Sequence, residues 1–133
     1  MASASSLIDG AKTPQHSLDE RCKDGFARVI VVIEGIRCKS KLFNSKEASN
    51  AEIKLTFGDK HFNLVVRRTN NDGQEEVYQL LAKTPQCIEQ DPKSYHKVEK
   101  DKISIYLKKV VSKSWLQAGE TIDVIEPDEE GEN

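Results

Sequence analysis

The sequence predicts an all-β fold, a sandwich of short antiparallel strands. Three observations carry the prediction. Short stretches alternate apolar and polar side chains. Turns rich in Gly, Asn and Asp separate them at roughly 8–15 residue spacing. No helical apolar period of about 3.6 residues persists over ten residues or more.

Residues 26–33 (FARVIVVI) are the strongest strand, β-branched and free of Gly and Pro. Ala27, Val29, Val31 and Ile33 share one face, while Ile30 and Val32 lie on the other beside Phe26 and Arg28. A strand apolar on both faces is either covered on both or exposes an adhesive patch. Residues 35–50 read as a connection whose Leu42 and Phe43 tuck into the core edge. Residues 51–57 (AEIKLTF) place Ala51, Ile53, Leu55 and Phe57 inward. A tight turn at 58–60 follows, and residues 61–67 return with Phe62, Leu64 and Val66 inward, which makes a β-hairpin. Asn70, Asn71, Asp72 and Gly73 form a further turn, because these residue types tolerate positive φ. Residues 76–81 are the next strand. Residues 94–98 form a short one before a turn at 99–101, and residues 102–108 (KISIYLK) alternate Ile103, Ile105 and Leu107 against Ser104, Tyr106 and Lys108.

The 133 residues suit one domain with tails: a flexible leader at 1–24, the sandwich at 25–118 and an acidic disordered tail at 119–133. Residues 123–133 hold six acids and no base, so the net charge of −2 leaves +4 on residues 1–122. The tail is a solubilising segment or an arm that touches basic surfaces, its own or a partner's. This balance does not suggest a nucleic-acid binder. Three cysteines (Cys22, Cys38, Cys87) without CxxC spacing fit reduced thiols better than a disulfide framework or a zinc site. With no signal-peptide pattern and no apolar run of about 20 residues, the expected location is the cytoplasm, with the nucleus also open.

Catalytic patterns are missing. His16 lies in the leader, His61 and His96 lack a nearby Cys, His or Asp at ligand spacing, and no phosphate loop, GxSxG elbow or HExxH occurs. The expectation is a non-enzymatic domain without metal or cofactor. Lys108, Lys109 and Lys113 gather after the last strand, but aromatic residues make up only 6 % of the chain, too few to suggest a base-stacking platform. Trp115, the one tryptophan, either plugs the end of the core or stands exposed as a binding anchor.

Three segments in order resemble the CS (p23-like) domain family, to which calcyclin-binding protein and p23 belong. They are VIVVIEGI (residues 29–36), IKLTFGDKHFNLVV (residues 53–66) and KISIYLKKVVSKSWLQ (residues 102–117), the last with Lys109 and Trp115 at the family's spacing. The resemblance spans about residues 22–118. It implies a seven-stranded antiparallel sandwich of the HSP20-like type. It also implies a co-chaperone or adaptor role with Hsp90 as partner, or alternatively a ubiquitin-ligase scaffold. A small-ligand binder or an enzyme on a β-sandwich is the remaining reading, and the chain is expected to be monomeric. By resemblance, partner contacts fall on Glu34 and Lys109, and the family's early-strand aromatic is Val32 here.

Overall fold

The computed structural model describes residues 7–40, 46–48, 50–69 and 72–125. Ten strands follow in order: β1 (Gln15–Asp19), β2 (Phe26–Val32), β3 (Cys38–Ser40), β4 (Lys46–Ala48), β5 (Ala51–Phe57), β6 (His61–Thr69), β7 (Glu75–Lys83), β8 (Tyr95–Glu99), β9 (Lys102–Lys108) and β10 (Asp123–Ile125). A short 3-10 helix, Leu116–Ala118, precedes β10. Four strands form one antiparallel sheet in the order β1-β2-β9-β8, and four form a second in the order β10-β7-β6-β5. The strands β3 and β4 pair separately.

Alternation produces the core. Ala27, Val29 and Val31 of β2 and Ile103, Ile105 and Leu107 of β9 are fully enclosed, facing Phe62, Leu64 and Val66 of β6 and Leu80 and Ala82 of β7. Ile36, Ile88, Ile122 and Trp115 close the ends. The protein is therefore an all-β sandwich, as the alternation predicts.

Its strand count differs from the seven expected. The two main sheets hold eight strands, and two of these, β1 and β10, come from segments read as leader and tail. The polar sequence QHSLD of β1 has one aliphatic residue, so no alternation marks it; it pairs from Gln15↔Val32 to Asp19↔Arg28 because β2 offers a free edge. Ahead of it, Lys12 pairs with β7: its amide donates to the Val77 carbonyl and its carbonyl accepts from the Gln79 amide, both at 2.9 Å. The Ile8 amide donates to the Gln79 side chain at 2.7 Å. The N-terminal segment thus belongs to the fold from Ile8 onward. The acidic residues 126–133, and the Leu42–Phe43 pair expected at the core edge, lie outside the described residues. No described helix is long and apolar enough to cross a membrane.

Candidate functional site

Gly25 turns the chain into β2 with φ at +81°, where a Cβ would sit 3.3 Å from both Lys108 Nζ and Ser112 Oγ. Its carbonyl accepts the Lys109 amide at 2.8 Å. Lys109 is therefore fixed at the exit of β9, and its parity sends the side chain inward. It is 6 % exposed. Its ammonium donates to Glu20 Oε2 at 2.5 Å and to the Lys113 carbonyl at 3.0 Å, and lies 5.4 Å from the centre of the Trp115 ring.

Glu20 is the hub of this end of the sandwich. Besides Lys109 it accepts from Ser114 Oγ at 2.6 Å, from the Trp115 amide at 2.8 Å and from the Leu116 amide at 3.3 Å. Burial alone would push its carboxyl up; the hydrogen bonds from Lys109, Ser114 and the two amides outweigh that and hold it at about 2. The carboxylate thereby ties the end of β1 to the segment that carries Trp115. Trp115 itself is completely enclosed, which makes it the core plug and not an exposed anchor.

Glu34 lies at the opposite end. It is exposed just after β2, and its backbone carbonyl accepts from the Arg68 guanidinium. The β2–β9 register runs from Phe26↔Lys108 to Val32↔Lys102. Lys109 lies level with Gly25, nine register steps from Glu34, so the two are about 30 Å apart along the strands at ~3.3 Å per residue. The fold does not bring the two together, and the Lys109 charge is committed to Glu20.

Lys108 has the other parity. It points out of the sheet and covers the Phe26 ring at 5.6 Å. The outer face around it holds features that the strand registry assembles. Phe26 on β2, Tyr106 on β9 and Tyr95 on β8 form one aromatic group. Tyr95 and Tyr106 stack at 5.0 Å with 14° between planes, and Phe26 meets Tyr95 edge-on at 6.0 Å. Lys23 lies 4.7 Å from the Phe26 centroid, and Lys97 lies 5.6 Å from that of Tyr106. Asp19 pairs with Arg28 beside this group; the Arg21 amide first, then Arg28, hold its carboxyl low, and Asp19 in turn raises the guanidinium. Ile30 and Val32 continue the face along β2, with Val32 37 % exposed.

Among the described residues no group of three or more His, Cys, Asp or Glu side chains could hold a metal. His96 is turned into the open edge beside Leu55 and Phe57, where burial lowers its pKa against the opposing pull of Asp91. An open hollow of about 1010 Å³ adjoins the Glu20 hub, lined by Asp19, Arg28, Lys109, Ser112 and Leu116 among others.

Compared with models of protein families, with curated proteins and with solved structures, the chain has no match.

Two parts of this end escaped the sequence reading. Glu20 stands in a polar segment that carries no pattern. The outer aromatic group was legible only as single residues: Phe26 and Tyr106 occupy polar-side positions of their strands, and the order β2-β9-β8 is what sets them side by side.

Proposed function

We propose that this chain is a non-enzymatic protein-interaction domain of the co-chaperone or adaptor kind, CS-like in its sandwich, with Hsp90 as the first partner to test. The observation that carries the reading is the outer face of β1-β2-β9-β8. There a half-exposed aromatic group and the Ile30–Val32 strip share one face with outward-pointing lysines. Aromatic residues ringed by charge are the usual anchors of protein interfaces. Within this reading Lys108 takes the docking role that resemblance gave to Lys109, since its ammonium points outward. Glu34 stands at the far end of the same sheet, at the margin of the contact.

The test is a titration of isotope-labelled domain with Hsp90 fragments, with ubiquitin-ligase subunits as parallel arms. Resonances of Phe26, Tyr95, Tyr106 and Lys108 should shift. Lys108→Glu should weaken the interaction about tenfold with unchanged melting temperature, while Lys109→Glu should destabilise the fold itself. Unperturbed outer-face resonances with every protein tested would sink the reading.

A further inference from the structure

The outer lysines have a chemistry of their own. On the outer face of this sheet Asp19 pairs with Arg28, which stands on β2 opposite Tyr106, and Glu99 pairs with Lys102 at the β8–β9 turn, while Glu20 holds Lys109 at the end of the core. Among the described residues, Lys23, Lys97 and Lys108 form no ion pair; each lies over an aromatic ring, at 4.7, 5.6 and 5.6 Å. Their positive charge is thus concentrated over the aromatic group and is not neutralised.

Ring orientation narrows what this charge can receive. Tyr95 and Tyr106 turn their faces to each other, and Phe26 turns an edge toward Tyr95. The remaining ring surface is occupied by lysines. A nucleobase, which binds by lying flat on an open ring, has poor access here. A carboxylate, in contrast, meets three ammonium groups and tyrosine hydroxyls. Beyond them, the strip from Phe26 to Val32 along β2 is about 20 Å long at ~3.3 Å per residue, the length of six or seven residues of extended chain.

We propose that this face binds an extended acidic segment of a partner protein. The inference rests on the interaction-domain reading above and names the chemistry of the occupant. From their places over the rings the lysines pair with successive carboxylates, and the Ile30–Val32 strip takes the apolar end of the segment. Association is fast and sensitive to salt, as charge-steered docking on an exposed surface must be.

The test uses the full chain and a fluorescent ten-residue peptide of alternating Asp and Glu at low salt, read by anisotropy and by amide shifts. The same peptide with Asn and Gln, and a ten-nucleotide oligouridylate, are the comparison probes. The acidic peptide should bind at least tenfold more tightly than its neutral counterpart and shift Phe26, Tyr95 and Tyr106. Joint reversal Lys23→Glu, Lys97→Glu and Lys108→Glu should weaken it more than tenfold. Reversal of Lys54, Lys60 and Lys83 on the other sheet, which changes net charge equally, should weaken it less than twofold. Equal loss in both triple variants, or equal binding of the neutral peptide, would overturn the proposal. So would tighter binding of the oligonucleotide at the same face. A chain ending at Ile125 should bind the peptide unchanged; a tenfold gain there would assign the face to this chain's own residues 126–133 and overturn the partner assignment. If Hsp90 or ligase fragments shift the face while the acidic peptide does not, the acidic chemistry fails and the interaction-domain reading stands.

Discussion

At the scale of single residues, the decisive contact joins Glu20 to Lys109 across 89 positions of sequence. Both side chains are largely enclosed, at 13 % and 7 % exposure. Removing one partner of such a pair leaves an unpaired buried charge, which costs more than the contact itself. Glu20→Ala should therefore destabilise the domain by about 3 kcal/mol. Lys109→Met in the same background should recover part of that loss, because it removes the orphaned ammonium. Urea unfolding followed by Trp115 fluorescence measures both, and the single tryptophan makes the signal unambiguous. A simple sum of the two single-variant effects would refute the coupling. Neighbouring Lys108 and Lys109 show why residue identity alone could not assign roles here. Parity decides that one points to solvent over Phe26 and the other to Glu20.

At the scale of elements, strand β1 is the clearest departure from the sequence reading. The strands β5, β6 and β9 were legible because each alternates over about seven residues, and β2 because its run is β-branched and free of Gly and Pro. The five residues of β1 carry one partly buried aliphatic side chain, Leu18, packed against the core. Its stability comes from pairing with β2 and from Glu20 at its end, two contributions that sequence periodicity cannot register. A chain that starts at Asp24 should accordingly be markedly less stable than the full chain, with a melting temperature lower by about 10 °C, against no change if residues 1–23 were a free leader. Differential scanning calorimetry separates the two outcomes. The same reasoning explains β10: three residues, Asp123–Ile125, pair with Lys83, Ala82 and Leu81 because β7 offers the edge there.

At the scale of the whole molecule, stability should fall on acidification. Three groups contribute with the same sign. The Glu20 carboxyl lies at about 2, below its ordinary value of 4.5, and Asp19 is lowered too; burial lowers His96. Each binds protons less readily folded than unfolded, so acid favours the unfolded chain. The His96 contribution is complete above its ordinary value of 6.5 and fades below it. That of Glu20 is complete well above 4.5 and is lost as pH falls toward about 2. Urea midpoints measured from pH 7 to pH 3 should decline most steeply below pH 5. In Glu20→Gln, which cannot ionise, that lower limb should flatten; an unchanged slope would show that Glu20 does not govern it.

Alternation along the chain was enough for the all-β class and for the inward faces of β6 and β9, because period two is a local property; β2, apolar on both faces, did not mark which one is buried. The sequence also placed Trp115 at the end of the last long strand. Only the tertiary structure decided that Trp115 is a plug, that Lys109 is held by Glu20, and that the ends of the chain supply two edge strands. These outcomes depend on which strands become neighbours, and hydrogen bonding along a free edge leaves no periodic mark. The same strand order gathers Phe26, Tyr95 and Tyr106 beneath three lysines. That surface exists in the registry of β2, β9 and β8, not in any one segment of the chain.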